Sequence, residues 1–250
     1  MLTSVWATYD TAIESPGGNM SITRSILFAT ATAFMIAGAG TGVATAAPVS
    51  AVLGGGSGIV FGNEVCSLTT IGHDASGRLV GLTAGHCAAV GTPVKAETTP
   101  AAGVLGVVVA RNTNLDYEVI QFDPSKVIPV RTVAGTTIAG IGSYPGTGDV
   151  VCKNGRTTGH DCGVVWGDRG IEVINQTCSQ PGDSGGPVTV GDRLVGMNNG
   201  HLGSIGPIPF NVVCSVSANP IQPPAITHPI ADILHSIDVG GGPGAGFQPI

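Results

Sequence analysis

Gly182-Asp183-Ser184-Gly185-Gly186-Pro187 sets a serine hydroxyl on a turn flanked by glycines. A nucleophilic serine needs an accessible hydroxyl on a tight turn, with backbone N–H groups beside it free to face a developing oxyanion. Glycines supply the unusual dihedral angles and the room for a substrate carbonyl. The competing reading is an ordinary serine in a surface turn, and six specified positions weigh against it. A second motif, Leu82-Thr83-Ala84-Gly85-His86-Cys87, follows a predicted strand. His86 suits a general base, which must be neutral near pH 7 and rigidly held, and a disulfide from Cys87 would anchor it. A carboxylate must then orient the imidazole. Asn114-Leu115-Asp116-Tyr117-Glu118-Val119-Ile120 places Asp116 at the lip of a strand. Asp123 ends that strand before Pro124 and reads as a turn residue, and Asp74 and Asp149 sit in glycine-containing turns. His73 and His160 read as turn residues and His228 precedes Pro229, so no metal site is expected.

The elements that must hold these residues read as strands. The 250-residue chain carries 40 Gly and 17 Pro, only 10% charged residues, and a mean hydropathy of +0.35. It is too apolar for a disordered chain and too interrupted for a long helical bundle. Short β-branched runs recur at Arg78–Ala84, Gly103–Arg111, Tyr117–Phe122, Val164–Trp166, Ile171–Asn175 and Arg193–Met197. Their punctuation favours a barrel or sandwich. One helix is expected over residues 228–239, opened by Pro229, with Ile230, Ile233, Leu234 and Ile237 on one face and His235 opposite. Residues 240–250 read as a flexible glycine-rich tail.

With these motifs in the order His, Asp, Ser, the chain resembles the chymotrypsin-like serine proteases, specifically the bacterial secreted streptogrisin and α-lytic type. The resemblance spans about residues 58–238 and rests on Thr83–Cys87, Asp116-Tyr117, Cys152–Gly159 and Gly182–Pro187. It implies an all-β fold of two six-stranded antiparallel barrels, residues 58–134 and 135–227, with the site in the cleft between them and one C-terminal helix. It also implies the disulfides Cys66–Cys87, Cys152–Cys162 and Cys178–Cys214; six cysteines by themselves allow 15 pairings. In triad logic Ser184 attacks, His86 moves the proton, Asp116 orients His86, and the N–H groups of Gly182 and Ser184 form the oxyanion hole. Asp183 is expected to be buried against a cation, Lys153, where relatives use an arginine. The substrate pocket is expected near Gln180, Pro181, Asn198, Asn199, Gly200, His201, Ile226 and Thr227. No Asp lies there, which disfavours a Lys or Arg specificity. Asn199 stands where relatives carry a serine, and His201 where they carry a glycine.

Before this region, residues 1–19 match no targeting pattern and read as an upstream mis-start. Met20–Ala46 reads as a secretory signal peptide, with Arg24, an apolar run from Ile26 to Ala37, and Ala44-Thr45-Ala46 before the cut. Residues 47–57 read as a short linker. An even number of cysteines in a secreted chain suits disulfides. A net charge of −6 leaves no basic stripe for nucleic acid. The expected protein is a secreted monomer acting on peptides, without a cofactor and without stable membrane association once the signal is cleaved. An α/β-hydrolase is disfavoured, since its acid and histidine must follow the nucleophile. A secreted binding protein of the same fold that has lost turnover is the alternative.

Overall fold

The computed structural model describes residues 49–205, 208–209, 214 and 222–250. The expected mis-start and signal peptide lie outside these residues, as does the beginning of the linker.

Seven strands from Gly58 to Phe122 form one antiparallel sheet: Gly58–Phe61, Glu64–Ser67, Thr70–His73, Leu79–Ala84, Pro93–Ala96, Gly106–Asn112 and Tyr117–Phe122. Glu64–Ser67 ends the sheet on one side, while Thr70–His73 lies at the far side of the seven. Only Leu68 and Thr69 separate the two strands in sequence. The sheet must therefore curl until its ends approach, around Ile59, Phe61, Leu68, Ile71, Leu105, Ile120 and Phe122. The seam is spanned by chain and not by a ladder, so this half is not a closed six-stranded barrel. An eighth strand, Gln248–Pro249, pairs with Thr70–His73 from outside.

The second half does close with six strands. Pro187–Val190, Val150–Gly155, Gly159–Arg169, Glu172–Asn175, Ala225–Pro229 and Arg193–His201 follow one another round the ring. Arg193–His201 pairs with both Pro187–Val190 and Ala225–Pro229, which completes it. Its core is small and made of valine: Val151, Val165, Val173, Val188 and Val195. Cross-links supplement so modest a core. The disulfides are Cys66–Cys87, Cys152–Cys162 and Cys178–Cys214, each contributing on the order of 3 kcal/mol in a chain-entropy account.

The helix spans Ile230–Gly240 and starts later than expected, because Pro229 still pairs with Gly196 as the end of a strand. Ile230, Ile233 and Ile237 bury against Val80, Leu82, Tyr117 and Val119 of the first sheet and Leu194 and Met197 of the second. The helix thus seals the junction between the barrels.

Two expectations at the chain ends need correction. Within the expected linker, Ala51–Leu53 is a strand running parallel to Val127–Pro129, with Ala51 and Leu53 buried and Val52 exposed. Nor is the stretch from 240 to 250 a free tail. Phe247 is buried, and the N–H groups of Gly244 and Gly246 donate to Asp74 and Asp238 at 3.1 and 2.8 Å. Asp74, read from sequence as a plain turn residue, also accepts from Arg78 Nε at 2.7 Å and from the backbone N–H groups of Ser76 and Arg78. Burial raises the Asp74 pKa, but these donors outweigh it and hold the group below the usual carboxylate value.

Candidate active site

Asp116 ends the loop before strand Tyr117–Phe122 and takes a left-handed backbone conformation, φ 46°, uncommon for a residue with a side chain. Gly85 makes room for it. A Cβ on Gly85 would lie 2.7 Å from Tyr117 N and 2.9 Å from the Asp116 carbonyl carbon. In this close approach the Gly85 N–H donates to Asp116 O at 2.8 Å. His86 follows directly, and its Nδ1 meets Asp116 Oδ2 at 2.8 Å. The hydrogen bond to Asp116 raises the imidazole pKa above 6.5, although partial burial opposes it. Burial works to raise the Asp116 pKa, but hydrogen bonds from His86 and Asn199 outweigh it and leave the carboxyl below its usual value. Asn199 reaches across from the second barrel, its Nδ2 donating to both Oδ2 and the backbone oxygen of Asp116 at 2.8 Å. The Asn199 amide thus grips the Asp116 carboxylate from the second barrel.

The Ser184 turn is tied to the strand that leads to His86. Ser184 O accepts from Ser67 N at 2.8 Å, and Thr69 Oγ1 donates to Gly185 O at 2.6 Å. Thr83 Oγ1 in turn donates to Ser67 O at 2.8 Å. A Cβ on Gly185 would run into Thr83 Oγ1 and Ser67 O. The Cys66–Cys87 bond joins the residue before Ser67 to the residue after His86. Base and nucleophile loops therefore share one cross-linked platform. No hydrogen bond joins His86 to Ser184 among the described residues; such contacts commonly tighten only with substrate. Gly182, at φ 97°, and Ser184 donate neither N–H to another described residue. Among the described residues, the turn thus offers two N–H donors without a partner, one of them the serine's own.

Asp183 stabilises this turn from below. Fully buried, it accepts from the N–H groups of Thr157, Thr158 and Gln180 at 2.9, 3.0 and 3.0 Å, and from Thr158 Oγ1 at 2.6 Å. The buried Lys153 Nζ lies 3.3 Å from Asp183 Oδ2 and also donates to Thr158 Oγ1. Burial lowers the Lys153 pKa, and Asp183 works against that. A second relay runs from Arg156 N to Ser67 Oγ and on to Gly182 O, at 2.9 and 2.8 Å. Arg156 also pairs with Glu97 of the first barrel.

The expected pocket residues divide. Gln180, Asn199, Gly200 and Ile226 are half-buried, while Pro181 and His201 are exposed. Asn198 and Thr227 show no surface at all. Asn198 Nδ2 donates to Ser179 Oγ and Asp183 O, and Thr227 Oγ1 accepts from Asn175. Both act from behind the wall instead of lining it. A cavity of about 480 Å³ between Val52, Val130, Asn154 and Arg156 contains none of the triad residues. The His and Cys groupings around His86 and His160 offer a metal no thiolates, because their cysteines are in disulfides.

Sequence reasoning passed over Glu118. It faces Thr83 across the ladder, is fully buried, and its Oε1 accepts the Ala88 N–H at 2.6 Å. Burial pushes its pKa up to about 8.

Two barrels with a His–Asp pair and a Gly-Asp-Ser turn at their junction define the fold of the chymotrypsin-like serine proteases. No family model matches the chain. It is 29% identical over 143 residues to streptogrisin-C of Streptomyces griseus, covering 49% of this chain and 29% of that protein. To streptogrisin-A of the same organism it is 25% identical over 167 residues, covering 61% and 53%. The chain thus spans about half, or less, of the length of these curated relatives. Protease A of Thermobifida fusca superposes with a TM-score of 0.61 at 24% identity, covering 80% of this chain and 99% of that structure. That likeness is one of fold.

Proposed function

We propose that the chain is a secreted serine endopeptidase. The observation that carries this reading is the hydrogen-bonded line Asn199–Asp116–His86, built from both barrels beside a serine turn with two unused N–H donors. Because Nδ1 of His86 is engaged by Asp116, Nε2 is the atom that takes the Ser184 proton as Oγ attacks the scissile carbonyl. The tetrahedral oxyanion is met by the Gly182 and Ser184 N–H groups, worth about 3–4 kcal/mol of barrier in such sites. His86 then passes its proton to the leaving amine, and water, activated the same way, releases the acyl group from Ser184. Asp116 holds the tautomer and stabilises the imidazolium. Lys153 and Asp183 keep the oxyanion turn rigid, so its donors need no reorganisation. Streptogrisin-like relatives and three disulfides support an oxidising, extracellular setting. A monomer acting on protein or peptide, with no cofactor, fits this chemistry.

Purified mature protein should cleave members of a peptide library at internal bonds. Ser184→Ala and His86→Ala should each lower turnover by several orders of magnitude while the far-UV spectrum and thermal transition persist. Cleavage surviving in purified Ser184→Ala protein would overturn the reading.

A further inference from the structure

Glu118 is a charge-bearing residue in a place that packing does not explain. The strand Tyr117–Phe122 buries Tyr117, Glu118, Val119 and Ile120 in succession, so a carboxyl group sits where another apolar side chain would fill the space. One oxygen has a partner, the N–H of Ala88, two residues beyond His86. The other, Oε2, is buried with no partner. The charged groups bearing on it are His86 on the loop it holds, Asp116 at the head of its own strand, and Arg111, its cross-strand partner. Cys87, between His86 and Ala88, is fixed by its disulfide to Cys66. The base loop is therefore held on one side by sulfur and on the other by this carboxyl group.

We propose that Glu118 is a positioning residue for His86: it fixes the base loop from behind through the Ala88 N–H, and it titrates together with the imidazole, so that the pair sets the pH range of the base. This rests on the peptidase reading of the site. A buried carboxylate with an unpartnered oxygen is strongly disfavoured, so the acid form prevails through neutral pH. Once ionised, it lies close enough to His86 to favour the imidazolium, and an imidazolium in turn favours its ionisation. Interacting groups of this kind lose their protons in two steps that belong to the pair. Asp116 opposes the second charge and Arg111 supports it.

The test uses the mature protein with Glu118→Gln and Glu118→Ala, followed from pH 5 to 10. Rates of Ser184 modification by a fluorophosphonate are measured alongside the ring resonances of His86 by NMR. Glu118→Gln keeps an oxygen for the Ala88 N–H. It should label at close to the parent rate at its own optimum, lack the alkaline inflection expected of the parent near pH 8, and remove the second, alkaline step from the His86 titration. Glu118→Ala should label slower by about tenfold or more at every pH, as expected for a displaced base. Profiles and His86 titrations of Glu118→Gln that superpose on the parent would overturn the proposal. So would parental labelling rates in Glu118→Ala. If the parent itself fails to label, the peptidase reading falls alone, because the His86 titration needs no turnover and still decides the role of Glu118.

Discussion

Asp116 is the residue at which geometry departs most from ordinary backbone and side-chain behaviour. Its positive φ, the glycine that must face it, and the Asn199 amide on the same Oδ2 that meets His86 all serve one carboxylate orientation. Asp116→Asn should therefore lower kcat on the order of 10⁴-fold through the wrong imidazole tautomer, read from steady-state kinetics of the purified variant. The pH profile carries a second test. His86 must be neutral to act, and its pKa is raised above 6.5 by Asp116. The acid limb of kcat/KM should thus have its midpoint above pH 6.5 in the parent and move to lower pH in Asp116→Asn. At this scale the triad candidates were legible, because glycine-flanked turns and a strand lip are written in short motifs. Glu118 was not. Alternation along Tyr117–Phe122 puts it on the face of the buried Ile120 and Phe122, but a charged residue carries no apolar signal of burial, and the Ala88 N–H that meets it is 30 residues away in sequence.

At the scale of elements, the turn that bears Ser184 depends on a buried ion pair. Removing Lys153 leaves Asp183 buried without its cation, so Lys153→Met should destabilise the protein by about 3–5 kcal/mol. Denaturant midpoints would show this, and the remaining folded fraction should turn over more slowly. Six of the strands were legible from β-branched runs between glycines, while others, such as Glu64–Ser67, Thr70–His73 and Ala225–Pro229, were not. The helix boundary was misread because Pro229 suits either a first helical position or a strand end, and pairing with Gly196 selects the second. The docked C-terminal segment was hidden for a different reason. Its anchors are backbone N–H groups, Gly244 on the Asp74 carboxylate far off in sequence and Gly246 on Asp238 of the helix, which leave no side-chain periodicity to read. Asp74→Ala, which strips three of the backbone N–H groups and Arg78 of their acceptor, should lower stability by roughly 2 kcal/mol. In a domain of this size that is about 4–8 °C in Tm by calorimetry.

The described residues form a curled sheet and a closed barrel that meet at one site, with one helix packed at their junction, and the stability of this assembly should carry the mark of Glu118. That carboxyl is about 8 in the folded protein against 4.5 in a free chain, so the folded state holds the proton more tightly. Its stabilising contribution is full below pH 4.5 and is lost as pH rises through about 8. Urea midpoints at pH 5 and pH 9 should differ more in the parent than in Glu118→Gln. The central claim is chemical, however, and one measurement meets it directly: treatment of the mature protein with a fluorophosphonate, followed by intact mass and peptide mapping. One label per chain, on Ser184, lost in His86→Ala while that variant remains folded, is the expected result. A folded parent that takes no label, or takes it on another serine, would contradict the account.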